Sequence, residues 1–218
     1  MSKLYLIRHG ESVANSKNIL SGTLDVSLTK NGIKQAIHTG RLLKKIKFDE
    51  VYTSFLSRAF ITAMIILSEN KNNLFPIVDP SEGEKNLLNN SLISNNLIKI
   101  YKDERLNERF YGNLQGVSVE NGLNFNGKSL WQLSFDEINS AESINATIGR
   151  TKSFYNDIII PKLSQDKNLL VVSHGTCLST LLMHIENISL DDAINNQLSN
   201  SKPIVFSFEN DVFRKEEF

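Results

Sequence analysis

Short apolar runs alternate along this chain with longer stretches in which apolar residues return every three or four positions. Leu4-Tyr5-Leu6-Ile7 leads into Arg8-His9-Gly10, and Leu169-Leu170-Val171-Val172 leads into Ser173-His174-Gly175. Each run is short, almost wholly apolar and closed by a glycine turn, the pattern of a strand buried on both faces of an α/β sheet. Val51-Tyr52-Thr53 predicts another strand, and Ile204 to Phe208 a last one. Between them the period changes from strand to helix. Thr29 reads as an N-cap, with Ile33, Ala36, Ile37, Gly40 and Leu43 following on one face. A helix starting at Ser57 or Arg58 carries Ala59, Ala63, Ile66 and Leu67 on its buried side. Ile144, Ile148, Thr151, Tyr155, Ile158 and Ile159 mark a long helix that Pro161 helps to close, and a further helix covers Cys177 to Ile185. A short helix is expected between Gly10 and Lys17. This alternation predicts an α/β chain with three α/β/α layers and a mostly parallel sheet, as one domain over 1–218. The irregular, Asn-rich stretch 70–103 is expected to be an insertion: a helix over Leu87 to Ile100, or a mobile lid.

Composition narrows the class. At 218 residues the chain is long enough for one large core, and 40% hydrophobic with 22% charged residues is ordinary for a globular protein. Lys+Arg and Asp+Glu balance at 24 each, so no basic field gathers nucleic acid or anionic lipid, and an anionic ligand must be held by local charge. The single cysteine, Cys177, cannot form an intramolecular disulfide and fits a reducing compartment. Met1-Ser2-Lys3 leads straight into a strand, which is read as the lack of a signal peptide, and no apolar run approaches the roughly 20 residues of a membrane span. A cytoplasmic location is the expectation.

Side chains just past the carboxyl ends of parallel strands face the crevice in which α/β sheets hold ligands. If the strands ending at His9 and His174 are neighbours, two imidazoles meet there, with Arg8 beside one of them. Arg58, shortly after the second strand, can reach the same place. Arginine presents a planar, permanently charged fork that matches phosphate oxygens, and helix amino termini add N–H donors. A neutral imidazole is a competent nucleophile toward phosphorus. The pattern therefore suits a phosphoryl group, with a histidine available as nucleophile. His38 and His184 lie in helical patterns and read as surface or packing residues, Trp131 as core, Cys177 as buried and inert, and the Lys44-Lys45-x-Lys47 cluster as a solvated helix end. A metal site built from His9, His174 and Glu108 is disfavoured because the arginines would repel a cation.

Leu6-Ile7-Arg8-His9-Gly10-Glu11-Ser12 resembles the signature of the histidine phosphatase superfamily. Asn15, Ser21-Gly22, Asp25, Leu28-Thr29, Gly32 and Gln35-Ala36 resemble the opening of cofactor-dependent phosphoglycerate mutases. Thr53-Ser54-x-Leu56-Ser57-Arg58-Ala59 and Arg105-Leu106-Asn107-Glu108-Arg109-x-Tyr111-Gly112-x-Leu114-Gln115-Gly116 extend the match, and Glu142-Ser143, Ser173-His174-Gly175 and Pro203 continue it. The resemblance implies a phosphoglycerate mutase-like fold, phosphorylation of His9, and a phosphoryl clamp of Arg8, Arg58 and His174 assisted by Asn15. It implies Glu108 as general acid and base, and Ser21, Gly22, Arg109, Tyr111, Gly175 and Thr176 around the rest of the substrate. It also implies a 2,3-bisphosphoglycerate primer, no metal, and a homodimer as one possible assembly.

This chain departs from the mutase pattern in three places. Val117 stands where that pattern has a lysine after Leu-Gln-Gly, and Trp131-Gln132-Leu133 where it has adjacent arginines before Ser-Phe-Asp. Thr176 replaces an asparagine. At roughly 1.5–3 kcal/mol per charged hydrogen bond, losing the lysine and both arginines weakens a polyanion site by several kcal/mol unless Lys128 or the 70–103 stretch compensates. Three function classes follow: a phosphohistidine-dependent phosphoglycerate mutase, a metal-independent phosphomonoester phosphatase of the same superfamily, and a non-catalytic phospho-ligand binder. The intact set of Arg8, His9, Arg58, Glu108 and His174 speaks against the last.

Overall fold

The computed structural model describes residues 1–72, 75–78, 97–119, 140–195 and 198–217. In chain order the elements are β1 (Ser2–Arg8), α1 (Val13–Ser16), α2 (Lys30–Leu42), β2 (Glu50–Thr53), α3 (Ser57–Ser68), β3 (Phe75–Val78) and β4 (Leu97–Lys102). There follow α4 (Ile144–Phe154), a π-helical turn (Tyr155–Ile159), α5 (Ile160–Leu163), β5 (Leu169–Ser173), α6 (Gly175–Glu186), α7 (Leu190–Asn195), β6 (Pro203–Glu209) and β7 (Val212–Glu216). Seven strands form one sheet in the order β3-β4-β2-β5-β1-β6-β7. The strands from β3 through β1 pair in parallel, while β6 lies antiparallel to β1 and β7 antiparallel to β6.

Strand alternation sorts the apolar side chains into two cores. Leu4, Leu6, Leu169 and Val171 face one way, against Phe154, Leu178, Leu181 and Leu182 of α4 and α6. Tyr5, Ile7, Leu170 and Val172 face the other, against Ala59, Ala63, Ile66 and Leu67 of α3. Both faces being covered is why these strands read as unbroken apolar runs. The three-layer α/β/α expectation holds.

Thr29 caps α2 as expected and Ser143 caps α4, while α6 begins at Gly175, two residues ahead of the expected Cys177. The Thr29 hydroxyl accepts from the Gly32 amide at 3.0 Å and the Ser143 hydroxyl from Ala146 at 3.1 Å. Four further details differ from expectation. On α2 the buried face runs through Gly32, Ala36, Thr39 and Gly40, while Ile33 is exposed. The reason is a close approach: a Cβ on Gly32 would stand 2.1 Å from the Glu11 carbonyl oxygen, so the helix meets the His9 loop on its glycine. Pro161 does not close its helix, which continues through Leu163; the π turn widens the ladder just ahead of a residue with no N–H to give. Leu97 to Ile100 is strand, not helix: β4 pairs in parallel with β2, and β3 with β4. The 70–103 stretch thus supplies sheet, and residues 79–96 lie outside the described ones. The antiparallel β7, too polar to stand out as a strand, completes the far edge.

Candidate active site

The sheet order makes β1 and β5 neighbours, with Arg8 opposite Ser173, and β2 lies on the other side of β5. Three adjacent strands therefore end together. His9 follows β1, His174 follows β5, and Ser54 follows β2. The His9 amide donates to the Ser173 carbonyl at 3.0 Å, and the two imidazole centroids stand 5.0 Å apart. The loop after β1 is tied from beneath, since Asn200 Nδ2 donates to the His9 carbonyl at 2.7 Å and the Ser201 amide to the Arg8 carbonyl at 2.8 Å.

Hydrogen bonds define the state of His9. Its Nδ1 is 2.7 Å from the Gly10 carbonyl, which can only accept, so Nδ1 carries the proton. Its Nε2 receives the Arg58 Nε–H at 3.2 Å, so Nε2 presents a lone pair. Burial first, and the Arg58 charge second, hold its pKa well below the ordinary imidazole range. The result is a neutral ring with a fixed tautomer and a nucleophilic nitrogen directed at a guanidinium.

Arg58 is itself pinned. Its Nη1 donates to the Leu24 carbonyl at 2.8 Å and its Nη2 to the Gly22 carbonyl at 2.7 Å. The segment supplying those carbonyls is locked by Gln115, whose Oε1 accepts from the Thr23 amide at 2.7 Å and the Thr23 hydroxyl at 3.0 Å. Gly22 has φ +49°, and a Cβ there would fall 2.2 Å from the Gln115 Oε1, so both conformation and space demand glycine.

His174 is fully buried, with Nε2 2.7 Å from the Ser54 hydroxyl. Ser54 Oγ accepts from the Leu56 amide at 3.2 Å and keeps its proton and a second lone pair for His174 Nε2. Burial, then His9 and the arginines, hold His174 neutral as well. Among the described residues, four buried polar side-chain atoms lack a partner, and two of them are His174 Nδ1 and Arg8 Nε. Native interiors rarely leave such groups unpaired, and both lie where β1 and β5 end side by side. Burial lowers the Arg8 and Arg58 pKa values, and the Glu108 charge opposes that shift.

A cleft of about 550 Å³ opens over these groups. Arg8, His9, Asn15, Ser21, Gly22, Arg58, Glu108, Tyr111, Gly175 and Thr176 line it. Asn15 Oδ1 accepts from the Ser12 amide at 3.0 Å and hydroxyl at 2.9 Å, which leaves its Nδ2 as the donor. One Glu108 oxygen accepts from the Arg109 amide at 2.8 Å and the other from the Thr176 amide at 3.3 Å, at the amino terminus of α6. The Tyr111 and Thr176 hydroxyls are 2.6 Å apart, and burial raises the Tyr111 pKa so that the phenol stays protonated. His174 lies behind the wall. Arg109, expected near the substrate, is fully buried outside the lining, with Nε donating to the Glu142 carbonyl at 2.8 Å. Leu20, Val119, Ser179, Ile194, Leu198 and Ser199 also line the cleft and were not singled out from the sequence, while Ser54 and Gln115, which support it, stood in quoted motifs without a role. For Ser54 the signal was present, because it directly follows a strand; for Leu198 and Ser199 there was none. Among the described residues no group of three His, Cys, Asp or Glu is placed to hold a metal ion. Gln132 and Leu133 lie outside the described residues, whereas Val117 is exposed and its carbonyl accepts from the Leu20 amide at 2.9 Å.

A neutral histidine at a strand end, two arginines converging on it and a carboxylate across the cleft define a class: an α/β enzyme for phosphoryl transfer through histidine. The chain belongs to the histidine phosphatase superfamily (branch 1), whose profile matches residues 4–81 and 90–218. It is 32% identical over 222 residues to the 2,3-bisphosphoglycerate-dependent phosphoglycerate mutase of Chlamydia pneumoniae, covering 99% of this chain and 97% of the relative. Identity to the enzyme of the same name from Methanococcus vannielii is 33% over 215 residues, with 96% and 92% covered. Among solved structures, phosphoserine phosphatase from Entamoeba histolytica in complex with 3-phosphoglyceric acid superposes with a TM-score of 0.71 at 25% identity, covering 100% of this chain and 96% of that one.

Proposed function

We propose that the chain interconverts 2- and 3-phosphoglycerate through a phosphohistidine at His9. The observation that carries this is the His9–Arg58 pair, a lone pair on Nε2 held 3.2 Å from the guanidinium that will meet the transferring phosphoryl group. Full-length relatives named as mutases support the assignment of substrate.

A phosphomonoester enters with its phosphoryl oxygens toward Arg8, Arg58 and Asn15 Nδ2, while His174 backs them from behind the wall. His9 Nε2 attacks phosphorus. Glu108 donates a proton to the departing ester oxygen and takes it back when the alternative hydroxyl attacks the phosphohistidine. The charge that develops on the phosphoryl oxygens is met by fixed cationic and N–H donors, so the residues present need no metal for that task. The unpartnered Arg8 Nε suits the transferring phosphate of a primer, and 2,3-bisphosphoglycerate, when bound, would supply the first phosphoryl group. Arg8 and Arg58 would hold its transferring phosphate.

The test follows 3-phosphoglycerate by phosphorus NMR with and without 2,3-bisphosphoglycerate. Primer-dependent 2-phosphoglycerate formation, and an acid-labile, alkali-stable phosphoryl adduct lost in His9→Ala, are expected. Phosphate release with no isomerisation overturns the mutase reading. That second reading, a metal-independent phosphatase, is favoured by Val117, an exposed apolar side chain where the mutase pattern has lysine.

A further inference from the structure

Glu108 lies between two short 3-10 turns, Glu104–Leu106 and Gly112–Leu114, so no helix or strand ladder sets the direction of its carboxylate. Its oxygens are fixed by the Arg109 amide on its own segment and the Thr176 amide of α6. The position of the carboxylate therefore depends on how that segment is held against the first turn of α6. One side chain of α4 reaches both. Arg150 Nη1 donates to the Arg105 carbonyl at 2.6 Å and stands 3.9 Å from the Cys177 Sγ in that first turn. Its Nε and Nη2 donate to the two Glu142 carboxylate oxygens at 2.7 and 3.1 Å. Glu142 in turn holds the other end of the segment. Its Oε2 accepts from the Phe110 amide at 3.3 Å, its amide donates to the Phe110 carbonyl at 2.8 Å, and its carbonyl accepts from Arg109 Nε at 2.8 Å. Arg150 thus fastens residue 105 directly and residues 109 and 110 through Glu142, with Glu108 between the two attachments. The two side chains are only 18% and 19% exposed, so water is a poor substitute for either partner. Neither lines the phosphoryl cleft; they meet Glu108 around a separate cavity of about 280 Å³.

We propose that Arg150, acting through Glu142, is a positioning residue for proton transfer: it holds the Glu108 carboxyl against the ester oxygen that departs as His9 is phosphorylated. This rests on the reading of Glu108 as the general acid and adds the group that aims it. A general acid works only within hydrogen-bond reach of the atom it protonates, and a misplacement of about 1 Å costs about 10²-fold. The planar fork matters as much as the charge. A lysine ammonium reaches Glu142 or the Arg105 carbonyl, but cannot grip the carboxylate at two points and the carbonyl at a third.

The experiment follows phosphohistidine formation by rapid acid quench in the full chain. It compares ethyl phosphate, whose leaving oxygen needs a proton, with 4-nitrophenyl phosphate, whose leaving oxygen does not. Arg150→Met is expected to slow the ethyl ester by about 10²-fold and the aryl ester by less than about threefold, with Arg150→Lys recovering part of the loss. Glu142→Gln shifts the two esters in the same sense and serves where Arg150→Met does not fold. In a Glu108→Gln background, Arg150→Met costs the ethyl ester less than about a further threefold, because the acid that it aims is already gone. Equal losses on both esters, or a full additional loss in the Glu108→Gln background, reduce Arg150 to a structural role and overturn the proposal. So does a folded Arg150→Met chain that uses ethyl phosphate at the wild-type rate. If Glu108→Gln itself slows both esters equally, the acid reading fails and the proposal with it. If neither ester phosphorylates His9 in the unmodified chain, the phosphohistidine reading fails first.

Discussion

Arg58→Lys keeps the charge at the centre of the site and removes its geometry. The guanidinium makes three bonds in three directions: 3.2 Å to His9 Nε2, 2.8 Å to the Leu24 carbonyl and 2.7 Å to the Gly22 carbonyl. It is fully buried, so water cannot replace what is lost. A lysine ammonium is one tetrahedral nitrogen and can occupy at most one of those three positions. If it stays near His9, both carbonyls lose a charge-assisted donor. At roughly 1.5–3 kcal/mol for each such bond, partly recovered by relaxation, stability falls by about 3 kcal/mol. For a chain of this size that lowers Tm by about 6–12 °C. Catalysis loses a fixed donor to the transferring phosphoryl group, worth about 10²–10³ in kcat. The assay pairs calorimetry with rapid-quench measurement of phosphohistidine formation at His9. The reasoning predicts slow phosphorylation even where the variant is fully folded. A folded Arg58→Lys protein that phosphorylates His9 within threefold of the wild-type rate shows that charge alone suffices, and the geometric argument fails.

Glu108→Gln preserves shape and removes the titratable group, so turnover of alkyl phosphates should drop by about 10²–10⁴ while aryl phosphates, whose leaving groups need no proton, lose far less; equal losses would refute the acid role. Acid should destabilise the fold through His9 and His174, which burial and neighbouring charge keep below the ordinary value of 6.5. Above 6.5 neither the folded nor the unfolded chain protonates them; as pH falls through 6.5 the unfolded chain takes up protons that the folded chain refuses, and about 3 kcal/mol is lost by pH 5.5 for the pair. Urea midpoints at pH 7.5 and 5.5, compared with those of His174→Asn, read this directly, and a midpoint insensitive to pH in the wild type contradicts neutral burial. Val117→Lys restores a cation next to the cleft wall and should raise the ratio of isomerisation to hydrolysis measured in a single reaction; an unchanged ratio removes Val117 as the cause of any phosphate leakage. Vanadate should inhibit and a chelator should leave activity unchanged, with restoration of a chelator-induced loss by a divalent ion arguing for a metal.

Much of the chemistry was legible in the chain because local sequence encodes it. The runs ending at Arg8-His9-Gly10 and Ser173-His174-Gly175 are strands because they are short, apolar and stopped by glycine, and the crevice at parallel strand ends makes their final residues site residues. The Thr29 N-cap and the α3 face were likewise visible, since capping and helical period depend on near neighbours. What the chain alone did not decide was everything that depends on residues far apart in sequence. That β5 lies between β1 and β2 brings Ser54 to His174 across 120 positions. The Arg58 side chain points at His9 because two carbonyls from the 22–24 segment hold it, and Gln115 holds that segment in turn. Ile33 read as core and is exposed, because Gly32 is what the His9 loop can approach closely. Arg109 carried a substrate role by resemblance and instead is buried against Glu142. The 97–102 segment is strand in keeping with its own alternation, with Ile98 and Ile100 buried and β2 and β3 paired on its two sides, a period-2 signal that the helical reading of 87–100 passed over. Period and capping act over a few residues and are written in the sequence, whereas the His9 tautomer, the direction of Arg58 and the meeting of three strand ends follow from packing and exist only in the folded chain.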